Sequence, residues 1–502
     1  MTLDFLTPLT GGSFAIPPAT RLQGKFTMAG PDMEANLTLY QPESDAFIGT
    51  DSLLAVTPED STLTDKGFET KHAARIAARY NTSRQAYSAD MTINDLDMHQ
   101  YLPQDSIFGI SAQLQIQGEG TDLFAPQTRL NAQGNISKLH YTSYLLSGYD
   151  LEATLKEQLL NASLRADNRA MNLQATLDGQ LKPDDIAAHL QMEVGKLDWH
   201  AMKLMDVPFS TSHHFDVTFD TDLRKKYQLE ASMTNTSVQA PKRQFKTKDL
   251  FIGFNTQADS TQAYLKAGDL DMDLQALGHI ETLGAQTDTL IATLNRQWTT
   301  KTIDQEALKQ LFPTMTLHIT SGKDNPICNV LAMKGITYDQ LHMDFQSSPE
   351  EGLNGKSSVY GMHTDSLMLD TLYLNVTHGL EGLDFQTGVI SKARKGQEAF
   401  DIDLDGFIHN GSAQVMLQYL NAKKERGVYM GLNAELRRRG IRMKLIPETP
   451  TLVYRPFTLN KQNFIYLADR GRLFGNISLY DEQGTGLGFY ANRQDSLANQ
   501  EM

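Results

Sequence analysis

The chain has 502 residues, of which 40% are hydrophobic and 21% are charged, a composition typical of folded rather than disordered proteins. The formal net charge of −15 argues against a nucleic-acid partner, because binding phosphates requires clustered Lys and Arg residues. The single cysteine, Cys328, cannot form an internal disulfide, and we expect it to be a small buried hydrophobic residue rather than a reactive thiol.

Membrane and targeting segments are not evident in the sequence. No run of apolar residues approaches the roughly 18 to 20 residues of a membrane-spanning helix. The segment Met1–Pro8 has neither the positive nor the apolar region of a secretory signal. These patterns predict either a cytosolic protein or an internal piece of a longer one.

Strict alternation of apolar and polar residues predicts half-buried β-strands along most of the chain. The first such strand includes Ala35, Leu37 and Leu39 on one face. Later strands before residue 285 place further apolar residues on one face: Leu114 and Ile116, then Phe215, Val217 and Phe219, then Leu270, Met272 and Leu274.

The strand pattern also recurs at a nearly constant interval. Met91–Asp97 returns as Met192–Asp198, an offset of 192 − 91 = 101 residues. Thr121–Leu123 is echoed by Thr221–Leu223, an offset of 221 − 121 = 100 residues. The recurrence predicts a sheet built from repeated groups of strands, all with the same apolar face inward.

Between residues 285 and 312 the apolar period changes from two to about 3.6 residues, which predicts a helical insertion. One stripe contains Leu290, Ile291, Leu294 and Trp298, and a second contains Leu308, Leu311 and Phe312. Thr302–Gln305 fits a capping box, and Pro313 ends the second helix. The insertion separates a β-groove segment at 1–284 from a second one at 313–502, where alternation resumes with Ile402 and Leu404 and more strands follow to Asn492.

The alternating strands create a packing problem, because their second face must lie against something apolar. The predicted helices are too few to cover it. If on the order of a hundred inward side chains each contribute ~1.5–3 kcal/mol, leaving a third of them wet would forfeit tens of kcal/mol. That loss exceeds the ~5–15 kcal/mol net stability of a typical domain. The sheet must therefore curl on itself, pair with a second sheet, or be filled by a ligand.

Motifs for metals and cofactors are weak. Asp401–Gly406 begins like a calcium loop, but Ser412 stands where that loop requires Glu, and the alternation favours a strand with a solvated acidic face. His213 and His214 are adjacent in a predicted strand, so their side chains point to opposite faces. Gly118–Gly120 and Gly484–Gly488 lack the context of a dinucleotide site and indicate turns or bulges. We expect no metal and no cofactor.

Catalytic motifs are not found either. No Gly-x-Ser-x-Gly elbow occurs, and no motif nominates a serine or cysteine as a nucleophile. An enzyme acting on polysaccharides would need convergent carboxylates and aromatic platforms, and the chain has two Trp residues. We therefore expect that the protein is not an enzyme and has no catalytic residues.

A set of basic residues contrasts with the acidic chain. These residues are either solvated charges on edge strands, which discourage aggregation, or a contact for anionic lipid head groups or an acidic partner. The set comprises Lys423, Lys424, Arg426, Arg437, Arg438, Arg439, Arg442 and Lys444.

Further segments accompany the repeated strand frames: Leu96–Pro103 after a strand, the helix ending at Leu311–Pro313 with Ser321–Pro326 behind it, and Pro456–Asn460 with Asn463–Ile465. Together they resemble the TamB/AsmA-like translocation and assembly module family in its Bacteroidota form. The resemblance implies a mostly β fold, a long repetitive antiparallel sheet curled into a groove (a β-taco) with a short helical insertion. It also implies transfer of phospholipid between inner and outer membrane and a role in outer-membrane assembly.

A protein of this family would lie in the periplasm, anchored in the inner membrane in its full length. Its partners would be phospholipid acyl chains and an outer-membrane β-barrel of the assembly family. This sequence would then be a central or truncated segment. The residues that would line the groove are Leu114, Ile116, Phe215, Val217, Phe219, Leu270, Met272, Leu274, Ile402 and Leu404. The main alternative is a structural extracellular β-repeat scaffold or adhesin that buries its own apolar faces and carries no lipid.

Overall fold

The computed structural model describes residues 20–42, 70–102, 107–141, 144–364, 367–437, 439–468 and 471–491. These residues form 31 strands and three α-helices. The chain divides into two compact units, Met1–Arg224 with Leu229–Thr247 and Lys225–Gln228 with Lys248–Met502. Both predicted segment boundaries, at residues 284 and 312, lie inside the second unit.

The first unit is a series of antiparallel strands in which neighbours in sequence are mostly neighbours in the sheet. Its strands are β1 (Arg21–Ala29), β2 (Asp32–Pro42), β3 (Thr70–Asn81), β4 (Ala86–Leu96), β5 (Ile107–Glu119), β6 (Arg129–Tyr141), β7 (Tyr144–Leu146), β8 (Tyr149–Lys156), β9 (Leu159–Asp167), β10 (Met171–Lys182), β11 (Asp185–Asp198), β12 (Ser210–Thr221), β13 (Tyr227–Ala240) and β14 (Arg243–Lys246). A 3-10 turn at Met98–Gln100 follows β4.

The second unit continues the same antiparallel hairpin pattern. Its strands are β15 (Leu250–Thr256), β16 (Ser260–Ala267), β17 (Leu270–Leu277), β18 (Met315–Ser321), β19 (Gln340–Ser348), β20 (Gly352–His363), β21 (Met368–His378), β22 (Gly382–Ser391), β23 (Phe400–His409), β24 (Ser412–Asn421), β25 (Arg426–Arg437), β26 (Gly440–Leu452), β27 (Arg455–Pro456), β28 (Thr458–Leu459), β29 (Phe464–Ala468), β30 (Leu473–Tyr480) and β31 (Gly486–Ala491). The strands predicted after Gly427 are confirmed, and Asn492 lies outside the described residues.

The two recurring frames, Met91–Asp97 and Met192–Asp198, fall at the ends of β4 and β11. Each frame carries a shift in strand register, between Ile93 and Leu96 in β4 and between Val194 and Leu197 in β11. A turn follows each shift. The sequence recurrence therefore corresponds to a repeated strand with a repeated irregularity at its end.

Three helices interrupt the strands of the second unit: α1 (Ile280–Thr300), α2 (Gln305–Lys309) and α3 (Pro326–Met333). The predicted insertion is present, but α1 begins at Ile280, five residues before the predicted start at 285. The predicted capping box at Thr302 is wrong. Asp304 is the N-cap of α2, and its Oδ1 accepts a hydrogen bond from the backbone N–H of Ala307 at 3.0 Å.

Helix α3 was not predicted from the sequence, because its eight residues are too few to show a clear helical period. Asn325 precedes it as the N-cap, and its Oδ1 accepts a hydrogen bond from the backbone N–H of Cys328 at 3.0 Å. Pro326 occupies the first turn, where its missing N–H loses nothing. Cys328 is buried, as predicted, and its Sγ donates to the carbonyl oxygen of Gly322.

The sheet of the first unit is curved. Thr27 on β1 and Leu155 on β8 line one cavity of about 800 Å³. In a flat sheet the six strand spacings between β1 and β8 would hold these strands about 29 Å apart. The curved sheet does not close into a barrel. The structure thus confirms the predicted fold class, a mostly β protein with a long repetitive antiparallel sheet curled into a groove and a short helical insertion.

Candidate functional site: the apolar face of the sheet

Cross-strand register builds continuous apolar rows on one face of the first unit, here called the apolar face. Residues paired across antiparallel strands lie on the same face, so each row crosses the strands from β2 to β12. The Leu114 row is Leu37, Ile76, Met91, Leu114, Gly134, Leu151, Leu164, Ala175, Met192 and Phe215. The Val217 row beside it is Ala35, Ala78, Ala89, Ile116, Ala132, Ala153, Ala162, Leu177, Leu190 and Val217.

A third row, the Tyr87 row, runs near one end of the same strands. It contains Met33, Tyr80, Tyr87, Gly118, Leu130, Leu155, Leu160, Gly179, Ala188 and Phe219. The five residues predicted to line a groove in this unit therefore share one face. They are Leu114, Ile116, Phe215, Val217 and Phe219.

The second unit has an apolar face of the same construction. Its Met272 row is Ile252, Leu265, Met272, Ile319, Met343, Ser357, Leu374, Thr387, Leu404 and Leu417. Its Phe345 row is Phe254, Ala263, Leu274, Leu317, Phe345, Gly355, Val376, Phe385, Gly406 and Val415. Leu270 and Ile402 alternate with Met272 and Leu404 and share this face, so the structure brings all five predicted residues of this unit onto it.

The apolar face is only partly covered. Of the ten predicted residues, Leu270 is buried at 5% exposure, and the other nine are half-buried. A sandwich core would bury such side chains against a second sheet. The lining therefore keeps part of its apolar surface accessible along both units.

The opposite face is polar and carries cross-strand pairs. On β18 and β19, His318 Nδ1 lies 2.5 Å from Asp344 Oδ1, and His342 Nε2 lies 2.8 Å from the other Asp344 oxygen. The hydrogen bond with His318 holds the pKa of Asp344 below its usual value. In β23, Asp401 pairs with Lys424 and Asp403 accepts from the Tyr373 hydroxyl. The sequence 401–406 is thus a strand with a polar face, as predicted.

His213 and His214 lie on opposite faces, as predicted. His214 Nδ1 is 2.8 Å from Glu193 on the polar face. His213 lies opposite Val194 on the apolar face, where burial lowers its pKa and its Nδ1 has no hydrogen-bond partner among the described residues. Within the described ranges, no group of three His, Cys, Asp or Glu residues is arranged to hold a metal ion.

The basic residues near the C-terminal end do not form one cluster. Lys423 and Lys424 lie in the turn before β25, whereas Arg437 lies at its far end. The 12 residues of β25 separate these ends by about 40 Å. Arg437 pairs with Glu435, and Arg426 lies over the Tyr429 ring at 4.2 Å. These contacts favour local roles for the charges, and Arg438 is outside the described residues.

A cavity lies at one end of the apolar face in the first unit. Its lining includes five apolar residues of the Tyr87 row: Met33, Tyr80, Tyr87, Leu130 and Leu155. Gly118 stands in the same row, and the Tyr87 ring lies across it. A Cβ at position 118 would overlap the phenol, so the close approach requires glycine. The sequence had suggested only a turn or bulge at Gly118, yet its place inside an alternating strand was the available signal of a close approach.

Helix α1 is oriented against expectation for an amphipathic helix. Its predicted stripe is turned outward, with Ile291 and Leu294 exposed and Trp298 at 70% exposure. Gln297 is buried instead, accepting from the backbone N–H of Asp304 at 2.9 Å and donating to its carbonyl oxygen at 3.1 Å. Polar contacts with Asp304, the N-cap residue of α2, therefore help to hold this helix, and Leu283 is its buried apolar side chain.

None of the described helices has the length and hydropathy needed to cross a membrane. Comparisons with protein-family models, with curated proteins and with solved structures found no match to this chain.

Proposed function

We propose that the apolar face binds phospholipid acyl chains and that the protein transfers phospholipid between the inner and outer membranes of a cell envelope. The supporting observation is the continuity of the apolar rows, which cross ten strands of the first unit with no charged residue in the Leu114, Val217 or Tyr87 rows. A surface of this kind can bind an acyl chain at any point along the rows, because hydrophobic contact depends on buried area rather than on specific geometry.

Partial exposure of the lining suits such a cargo. An acyl chain entering the groove would cover the half-buried side chains of Leu114, Ile116 and their neighbours, each adding roughly 25 cal/mol per Å² of apolar surface removed from water. The same chain could move from one strand to the next, since each row presents similar side chains at a strand spacing of about 4.8 Å. No chemical step is required, so the proposed activity is not enzymatic.

The cellular setting of the proposal rests on the sequence resemblance to the TamB/AsmA-like family. We place the protein in the periplasm, anchored in the inner membrane in its full length. An outer-membrane β-barrel of the assembly family is the proposed protein partner, and outer-membrane assembly is the proposed process. Each of these assignments is open to a direct test by fractionation and co-purification.

A matched pair of substitutions tests the groove. Val217→Asp places one charge in the apolar path, whereas Thr218→Asp places the same charge on the opposite face. A carboxylate in a hydrocarbon-like site is unfavourable by ~2.5–3.5 kcal/mol, so we expect Val217→Asp to slow vesicle-to-vesicle phospholipid transfer by about tenfold or more. Thr218→Asp should transfer as the wild type does, and circular dichroism should show both variants folded.

Normal phospholipid transfer by Val217→Asp would contradict the proposal that lipid moves along the apolar face. Equal slowing by both variants would show that the effect comes from charge or stability and not from the apolar path. The structural alternative, a β-repeat scaffold or adhesin without lipid cargo, requires that the wild-type protein transfer no phospholipid at all.

A further inference from the structure

The short helix α2 is bound to strands that lie far from its own place in the chain. It precedes β18, yet the backbone N–H of Gln305 donates to Asn410 Oδ1 at 2.9 Å, and its side-chain Nε2 donates to the carbonyl oxygen of Ile408 at 2.8 Å. Four strand spacings, about 19 Å in a flat sheet, separate β18 from β22. Residues 305–313, here called the strap, therefore reach across the ends of several strands of the second unit.

The strap lies over one end of the apolar face. Val376 belongs to the Phe345 row, so His378, two residues further along β21, points to the same face. The Phe312 ring meets the imidazole of His378 edge to face, with 6.1 Å between the ring centroids. Leu308 of α2 is buried, with 6% of its surface exposed. The strap thus covers this end of the apolar face in the second unit.

His378 is closely packed beneath the strap. Its imidazole lies against Gly352, where a Cβ would come within 2.4 Å of the ring. Only 9% of the residue is exposed, and its Nδ1 has no hydrogen-bond partner among the described residues. A proton at that nitrogen would bring a charge into the site without water or an acceptor to stabilise it. The packing therefore favours the neutral imidazole.

The charged groups around His378 come from α2 and β22. Burial is the main cause that lowers the pKa of His378, and the ammonium group of Lys309 on the strap lowers it further. Glu306 on the strap and Asp384 on β22 act in the opposite direction. Asp384 already has a partner, because its Oδ1 lies 3.2 Å from His409 Nε2. Neutral His378 is therefore the form that fits beneath the docked strap.

We infer that His378 and Phe312 form a pH-sensitive latch, which holds the strap on the apolar face at neutral pH and releases it in mild acid. Release uncovers the end of the apolar face in the second unit. Because the pKa of His378 lies below its ordinary value of 6.5 while the strap is docked, the docked state is fully stabilised above about pH 6.5. That stability is lost as the pH falls through the lowered pKa. The latch requires no lipid, so its test is independent of the proposed function.

Hydrogen exchange of the full chain at pH 7.5 and 5.5, with rates corrected for the intrinsic effect of pH, tests the latch. A switch that takes up one proton shifts its opening equilibrium by up to about tenfold per pH unit, so the strap amides should open up to about tenfold more at pH 5.5. His378→Leu keeps an apolar side chain beneath Phe312 and cannot titrate, so its strap should be equally protected at both pH values. The control His363→Leu removes an imidazole from the opposite end of β20 and should respond as the wild type does.

Two results would overturn the latch. One is equal protection of the strap at both pH values in the wild type, and the other is an acid response that persists in His378→Leu. If His378→Leu has already lost protection at pH 7.5, His378→Gln, which is polar and does not titrate, takes its place in the same comparison. An acid response that is lost in His409→Leu and kept in the His378 variants would assign the proton to His409 and contradict the inference.

Discussion

The ring of Phe345 lies across Gly355 on the neighbouring strand, so that a Cβ at position 355 would overlap both the ring and the backbone oxygen of Asp344. The pair Phe385 and Gly406 repeats this arrangement three strands further along the same row. Each ring therefore occupies the space that a side chain on the neighbouring strand would fill.

This relationship predicts that Gly355→Ala destabilises the second unit. The added methyl group must displace the Phe345 ring or spread the strands, and overpacking of this kind costs typically ~1–3 kcal/mol. Urea unfolding should show a lower midpoint. The matched control is Gly284→Ala in α1, where a Cβ meets nothing within 4 Å and alanine favours the helix. Its midpoint should be unchanged or higher, and an equal fall for both variants would contradict the packing argument.

The buried amide of Gln297 predicts a local effect on the helical insertion. Gln297→Ala removes both hydrogen bonds to Asp304 and leaves the Asp304 backbone N–H without this partner, a loss of ~1–3 kcal/mol. The Asp304 carbonyl oxygen still accepts from the backbone N–H of Leu308. Hydrogen exchange in residues 280–309 should accelerate. Gln286→Ala, on the exposed side of the same helix, should leave exchange unchanged. Protection that persists in Gln297→Ala would show that apolar packing holds α1 after all.

His213 predicts a pH dependence of stability. Burial on the apolar face lowers its pKa from 6.5 in the folded protein, so below that value the unfolded chain binds the proton more readily. The stability that neutral His213 contributes is therefore present above about pH 6.5 and is lost as the pH falls through the lowered folded pKa. His213→Leu cannot titrate and should show a smaller drop in thermal midpoint between pH 7.5 and 5.5. Equal drops in the two proteins would exclude this role.

The faces of the strands could be predicted from the sequence because the side-chain period of a strand is two. Alternation at Phe215, Val217 and Phe219 identifies their shared face without knowledge of the neighbours. Hairpin connections then join consecutive strands, so rows built from separate strands meet in register. For this reason the ten predicted lining residues fall on apolar faces, although their role in lipid binding stays a prediction.

Features that depend on curvature or on long-range position could not be predicted. The cavity needs the ends of strands from β1 to β8 to converge, and no single segment encodes that bend. The basic residues from Lys423 to Lys444 are close in sequence, but the length of β25 separates them. The stripe of α1 has a clear helical period, yet the position of the helix at the ends of β17 and β18 gives it little sheet to cover. Periodicity fixed which residues share a side of α1 and left open which side faces the protein.

The central claim is that the apolar face carries phospholipid, and native mass spectrometry of the full chain purified from a bacterial envelope tests it most directly. The account predicts mass additions that match phospholipids and disappear on organic extraction. It also predicts that Val217→Asp carries less of this lipid than Thr218→Asp. A wild-type protein that remains folded and carries no phospholipid, even after incubation with vesicles, would contradict the account.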